Sequence, residues 1–235
     1  MGPGLKSDAG KEATAAGLRS VLARLAGPNV GCCVLPIQSG RPLLREEAAV
    51  VAHAVQSRRH EFSTGRACAR IALAELGCPP SPILKGPFYE PIWPRGFGGS
   101  IAHDDTYAAA IAYRTDVAGH LGIDLLAPSD VTLLMETIST FVTSGESARL
   151  GVADPGAVGR IFSAKEAAIK IASVRRQAFT DFQEIESLPT ADGMVLHVAG
   201  ESSPITARFA EFEGFLVTLA IAQDSAAKDG VGRMV

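Results

Sequence analysis

A glutamate and a lysine one helical turn apart are the residues of this chain best spaced for chemistry. They lie in Ile161-Phe162-Ser163-Ala164-Lys165-Glu166-Ala167-Ala168-Ile169-Lys170-Ile171. At 3.6 residues per turn, Ile161, Ala164, Ala168 and Ile171 form one apolar stripe, and Glu166 and Lys170 fall roughly opposite. A helix that buries one face and offers a carboxylate and an amine on the other suits a metal and a phosphate. The same i, i+4 pair is also an ordinary feature of a solvated helix face, worth about 0.2–0.5 kcal/mol. This stretch alone leaves both readings open. Ser163-x-x-Glu166 matches a capping box, yet Asp154-Pro155 upstream is a better N-cap and first-turn pair, which puts Ser163 inside the helix.

Other candidates sit at strand ends and on loops. Leu121-Gly122-Ile123-Asp124-Leu125-Leu126 is an apolar strand carrying one carboxylate. Asp124 there is either a hydrogen-bonded turn residue or a ligand. Asp124 and Glu166, one from a strand and one from a helix, could together hold Mg²⁺, which prefers oxygen donors and keeps positions for water and phosphate. Ser100-Ile101-Ala102-His103 ends a strand on a histidine beside Asp104 and Asp105, and Lys85 precedes Gly86-Pro87. Arg58-Arg59-His60 is a local basic cluster. Gly98-Gly99 is no P-loop, because the G-x-x-x-x-G-K-[ST] pattern is missing, and no G-x-S-x-G elbow occurs. His53, on the apolar side of its helix, reads as a core or boundary histidine rather than a ligand.

The elements that must position these residues follow from periodicity and breakers. Residues 1–11 read as a frayed tail. Helices are expected over Glu12–Leu25, Leu43–Arg58, Glu61–Leu76, Val131–Phe141, Glu146–Leu150 and Pro155 to about Val174. Strands are expected over Val30–Ile37, Ile83–Lys85, Ser100–His103, Tyr107–Tyr113, Leu121–Leu126, Phe182–Ser187, Met194–Val198, Ile205–Phe212 and Phe215–Ile221. Asp104-Asp105 and Gly214 mark turns. Helices and strands come in blocks, which argues α+β, and each half runs helices then strands. A boundary near Ala127-Pro128 divides the chain into residues 1–127 and 128–235.

The chain of 235 residues carries 22 basic and 25 acidic side chains, so no polyanion-binding surface is implied and nucleic acid is not an expected partner. Cys32, Cys33, Cys68 and Cys78 form no C-x-x-C and read as free thiols in a reducing compartment. The start has no apolar signal region and no run reaches membrane-spanning length, which points to a cytoplasmic protein with no membrane partner.

It is the order of the motifs that is specific. Glu61-Phe62-Ser63-Thr64-Gly65-Arg66-Ala67-Cys68-Ala69-Arg70 leads to Pro82-Ile83-Leu84-Lys85-Gly86, then to Glu90-Pro91-Ile92-Trp93-Pro94 and Gly99-Ser100-Ile101-Ala102-His103. Gly122-Ile123-Asp124 and Phe162-Ser163-Ala164-Lys165-Glu166 with Lys170 complete the series. Over roughly residues 43–185 this resembles the 4′-phosphopantetheinyl transferases of the surfactin-synthetase-activating type, and within them the enterobactin-synthase-associated bacterial group.

The resemblance implies two similar α+β halves in a pseudo-two-fold arrangement, with coenzyme A in the cleft between them. It implies transfer of the phosphopantetheine arm to a serine of an apo acyl, aryl or peptidyl carrier protein, leaving 3′,5′-ADP. Such carriers serve fatty acid, polyketide and nonribosomal peptide synthases. Carried over residue by residue, Asp124 and Glu166 match the Mg²⁺ ligands, and Glu166 also the base. Lys170 and Lys165 match phosphate ligands, and His103 a phosphate hydrogen-bonding group. Arg58, Arg66 and Lys85 match the holders of the 3′-phosphate end or adenosine. Two similar halves in one chain suggest a monomer.

Two departures bear on the activity. Leu126 stands where the family usually has a second acid after the strand aspartate, so either a water fills the place or metal affinity falls. Ala102 replaces a small hydroxyl residue, with the expected loss of one phosphate hydrogen bond, about 0.5–1.5 kcal/mol. These departures motivate the alternative of a degenerate relative that binds coenzyme A or a carrier without transfer. An unrelated α+β protein with a charged helix surface is the third reading.

Overall fold

The computed structural model describes residues 7–117, 119–150 and 154–223. Its elements run α1 (Asp8–Ala26), β1 (Val30–Pro36), α2 (Arg45–Val50), α3 (Gln56–Glu75), the short β2 (Leu84–Lys85) and β3 (Pro91–Ile92), β4 (Phe97–His103), β5 (Tyr107–Arg114) and β6 (His120–Leu126). Helices α4 (Val131–Glu136), α5 (Ser144–Leu150) and α6 (Pro155–Arg176) follow. Strands β7 (Ile185–Thr190), β8 (Gly193–Val198), β9 (Ile205–Phe212) and β10 (Phe215–Ala222) close the described chain.

Antiparallel ladders build a three-stranded sheet, β1-β5-β4, and a five-stranded sheet, β6-β10-β9-β8-β7. Side chains alternate along the strands with period two. Tyr107, Ala109, Ile111 and Tyr113 of β5 share a core with Leu18 and Leu22 of α1, as do Ile123 and Leu125 of β6 and Val217 and Leu219 of β10. The intervening Ala108, Ala110 and Ala112 face Cys68, Ala69 and Ala72 of α3. Leu126, Leu216 and Ala220 face Val158, Ile161 and Ala168 of α6. Helix α1 therefore covers one face of both sheets, while α3 and α6 each cover the other face of one. The fold is α+β, built of two similar halves.

Three devices repeat in the halves. A Cβ on Gly31 of β1 would lie 2.0 Å from the carbonyl oxygen of Ala72, and one on Gly122 of β6 would lie 2.1 Å from that of Ala167. Only glycine lets a helix backbone come so close to a strand. Glu47 accepts hydrogen bonds from Leu44 N, Ile83 N and Arg70 of α3. Glu146 likewise accepts from Thr143 N, Ser187 N and Lys165 of α6. Lastly, Glu75 accepts from the backbone N–H of Cys32, and Lys170 donates to the backbone carbonyl of Ile123.

Between the sheets, the free edge of β6 is satisfied by side chains rather than by a neighbouring strand's backbone. Leu121 N donates to the Tyr113 hydroxyl and Ile123 N to Ser100 Oγ, both at 3.1 Å. Buried backbone groups must find partners, and these partners leave a seam instead of a continuous ladder.

Several elements differ from expectation. The tail expected over residues 1–11 lies outside the described residues up to residue 6, and from Asp8 the chain is helical because Ser7 caps α1. The helix expected over Leu43–Arg58 is broken into α2 and the start of α3. Buried Glu47 and Val51 tie α2 down, and the chain must turn before α3 begins, which leaves His53 exposed in that turn rather than in the core. Val131–Phe141 divides into α4 and a 3-10 turn at Ile138–Thr140, which carries Phe141 into the core. Phe182–Glu184 is a 3-10 turn capped by Asp181, so β7 starts later than expected. All four cysteines are buried and free. Among the described residues no helix is long and apolar enough to cross a membrane.

Candidate active site

A cleft of about 620 Å³ opens over the seam, and Arg58, Arg66, Lys85, His103 and Lys170 all line it. Helix α3 supplies the arginines, β2 supplies Lys85, β4 ends on His103, and α6 supplies Lys170. Phe88, Tyr89, Ile92 and Trp93 add apolar walls. Gly98 and Gly99 let Tyr113 and Trp93 lie flat against β4, where any Cβ would meet their rings at 2.7 and 2.5 Å.

Asp124 and Glu166 stand beside Lys170. The Lys170 ammonium donates to Asp124 Oδ1 at 3.2 Å as well as to the Ile123 carbonyl at 2.8 Å. Burial pushes the Glu166 carboxyl above its ordinary pKa; Lys170 opposes that shift and the Asp124 charge adds to it. A raised pKa makes Glu166 a stronger base. Two crowded carboxylates are also an oxygen-donor pair whose repulsion a hard divalent cation would relieve. Among the described residues no group of three or more His, Cys, Asp or Glu side chains could hold a metal, so such a cation would take its remaining ligands from water and substrate.

His103 and Arg58 form one unit. Arg58 Nη1 lies 2.9 Å from His103 Nε2 and 3.0 Å from Glu61 Oε2. A guanidinium only donates, so Nε2 is the acceptor and the ring proton is assigned to Nδ1. Packing of the ring lowers the His103 pKa; Glu61 opposes that, while Arg58 and Lys170 add to it. Arg66 donates to the carbonyls of Ile83 and Leu84 at 2.6 and 3.3 Å, and its guanidinium lies 4.2 Å from the Phe62 ring centre. Burial brings its pKa down to about 10, which leaves it charged at neutral pH. It thereby fixes the strand that delivers Lys85, whose ammonium sits 3.8 Å from the Tyr89 ring centre.

Three expectations need correction. Lys165 does not face the cleft: it is wholly buried, donating to Glu146 Oε2 and the Phe141 carbonyl at 2.7 Å and to the Phe182 carbonyl at 3.1 Å. Helical spacing puts it four residues after Ile161, on the buried side. Ala102 points into the core beneath α1, opposite to His103, so a hydroxyl there would reach no ligand in the cleft. Leu126 leaves no gap for a water: it is buried against α6, with its Cδ2 3.3 Å from where a Cβ on Gly159 would stand.

Sequence reasoning also missed partners. Glu61 lies one turn after Arg58, a spacing that signals a pair. Ser163, read only as a rejected cap, donates to Asp124 Oδ2 at 2.8 Å and lies 2.7 Å from Thr218 Oγ1. Nothing local in the sequence names Thr218, since only the β6–β10 register brings it opposite Asp124.

The cleft is walled by two α+β halves and cationic along one side, with a carboxylate pair beside its Lys170, an arrangement whose charges complement a phosphate ester and a divalent cation. The 4′-phosphopantetheinyl transferase N-terminal domain family matches residues 46–113. The 4′-phosphopantetheinyl transferase PptT of Mycobacterium tuberculosis is 51% identical over 88 residues, 37% of this chain and 38% of that protein. Enterobactin synthase component D of Escherichia coli is 35% identical over 141 residues, 58% of this chain and 66% of that protein. A holo-[acyl-carrier-protein] synthase of Helicobacter pylori, solved with coenzyme A, superposes with a TM-score of 0.36 at 16% identity, over 44% of this chain and 100% of its own. The chain is a relative of the 4′-phosphopantetheinyl transferases, and its matched stretch spans a little over a third of the length of the mycobacterial one.

Proposed function

We propose that this protein transfers the 4′-phosphopantetheine arm of coenzyme A to a serine of an apo carrier protein, with Mg²⁺ at Asp124 and Glu166, and releases 3′,5′-ADP. The observation that carries this reading is the gathering of Arg58, Arg66, Lys85, His103 and Lys170 in one cleft beside that carboxylate pair.

In this reading Arg58, Arg66 and Lys85 hold the 3′-phosphate and adenosine end, the arginines by forked donors and the lysine as a point charge. Lys170 and His103 face the pyrophosphate. Held by Asp124 and Glu166, Mg²⁺ would neutralise charge on the pyrophosphate oxygens. The bond that breaks joins the pantetheine-bearing phosphorus to the bridging oxygen, which leaves with 3′,5′-ADP. Glu166 accepts the proton of the carrier serine as its oxygen attacks the phosphorus that bears the pantetheine. Lys165 holds α6 in place and touches no substrate. Carriers of fatty acid, polyketide or nonribosomal peptide synthesis, a cytoplasmic location and a monomeric state belong to the same proposal. We place the division between the halves before β6 rather than at 127/128, because β6 pairs with β10.

Leu126 favours one other reading, a relative that binds coenzyme A without transfer. Intact mass spectrometry of apo carrier proteins incubated with this protein, coenzyme A and Mg²⁺ separates the two. A gain of one phosphopantetheine, abolished by chelator, is expected. Bound coenzyme A with no gain on carriers of any of the three pathways would overturn the transferase in favour of the binder.

A further inference from the structure

We propose that Ser163, backed by Thr218, is a positioning residue that aims the Asp124 carboxylate at the divalent cation. The proposal rests on the transferase reading. Ser163 and Thr218 are wholly buried. An ionised carboxylate cannot donate, so the single Ser163 proton goes to Asp124 Oδ2, and the 2.7 Å contact must carry the Thr218 proton to Ser163 Oγ. The direction Thr218 to Ser163 to Asp124 is thereby fixed. Lys170 takes the other oxygen, Oδ1, at 3.2 Å. With one donor on each oxygen the carboxylate plane is set, and the lone pairs left over point in one defined direction. The orientation matters more here than in a site with spare ligands, because Leu126 leaves Asp124 as the lone carboxylate that β6 offers.

The other half supplies an internal control. Counted from Gly31 and Ala72, the positions of Asp124, Ser163 and Lys170 correspond to Cys33, Cys68 and Glu75, and Ala110 lies opposite Cys33 as Thr218 lies opposite Asp124. Cys68 Sγ donates to the Ala108 carbonyl of β5 at 3.2 Å, where Ser163 of the other half donates to the Asp124 carboxylate. That half packs its helix as closely on its strand with two thiols and an alanine. Helix packing therefore does not require the Asp–Ser–Thr set, and what remains for it to do is orient Asp124.

The test is binding of Mn²⁺, the paramagnetic stand-in for Mg²⁺, to the full chain with coenzyme A present, followed by electron spin resonance. Second partners of metal ligands typically contribute 10–100-fold in affinity. Ser163→Ala should weaken Mn²⁺ binding by about 10–100-fold, while coenzyme A affinity in chelator stays within about threefold, since no group that touches it changes. Ser163→Cys, which copies the other half and leaves no cavity, should weaken Mn²⁺ in the same direction with an unchanged melting curve. Thr218→Val should have the smaller effect, because Ser163 still donates. Wild-type Mn²⁺ affinity in both Ser163 variants, with wild-type transfer intact, would overturn the positioning role alone. Absence of both Mn²⁺ binding and transfer in the wild type would overturn the transferase reading, and this proposal with it.

Discussion

Helices α3 and α6 are the same structural answer put to different use. Each lies on a strand through a glycine, each is locked by a buried glutamate of the preceding short helix, and each bonds the backbone of its strand through its residue 75 or 170. On α3 the positions matching Glu166 and Lys170 hold Ile71, exposed to solvent, and Glu75, which pairs with Arg19. The cations of α3 that matter lie nearer its start, at Arg58 and Arg66. In the proposed reaction one half grips an anion, and the other carries the carboxylate, the base and the lysine. The scaffold is shared; the chemistry is confined to one copy.

The locks should differ most under mutation. Glu146→Ala strands a wholly buried lysine, whereas Glu47→Ala leaves Arg70, which is 18% exposed and can reach water. Removing one partner of a buried pair costs about 3–5 kcal/mol, so Glu146→Ala should lower Tm by roughly 10 °C and Glu47→Ala by clearly less. Equal losses in thermal melts would show that the two locks are equivalent.

The hairpin turns differ next. The β9–β10 turn uses positive φ at Glu213 and Gly214, while the β4–β5 turn uses Asp104, whose Oδ1 accepts from Thr106 N and Tyr107 N. Burial raises the Asp104 carboxyl to about 6. The folded state then holds a proton that the unfolded chain releases, so this group's contribution is full below pH 4 and is lost as pH rises through about 6. The whole swing is about 2–3 kcal/mol. Urea unfolding at pH 4.5 and 7.5 should show this slope in the wild type and not in Asp104→Asn; equal slopes would remove the assignment.

The glycines give the smallest stability effect and the sharpest functional contrast. Gly31→Ala and Gly122→Ala should each cost about 1–3 kcal/mol by overpacking. Only Gly122→Ala should also slow transfer at saturating coenzyme A, because it lifts α6 and with it Glu166. Matched loss of transfer in Gly31→Ala would mean that the halves move as one.

Much of this was written in local pattern. Asp154 before Pro155, Gly214 before the last strand and the apolar stripe of α6 placed those elements within a few residues, because caps, turns and periodicity act over one or two turns of chain. The gathering of Arg58, Arg66, Lys85, His103 and Lys170 came from resemblance, since no spacing rule joins residues from four elements. What failed was partner assignment. Lys165 lay visibly near the buried stripe, but its partner Glu146 is 19 residues away on another helix. Ala102 could have been read correctly: in a strand the neighbour of His103 must face the other side. The break between α2 and α3 was hidden because buried Glu47, which forces it, looks like a surface residue.

The central claim is that binding and transfer are divided between the halves, and Glu166→Gln tests it most directly when coenzyme A affinity and carrier modification are measured on the same preparation. Transfer should fall by about 10²–10⁴-fold, the usual contribution of a general base, with coenzyme A affinity within about threefold of wild type, because no holder of its adenosine end changes. Ile71→Gln, at the matching place on α3, should change neither. Parallel loss of affinity and transfer in Glu166→Gln, or full transfer without the carboxylate, would contradict the division.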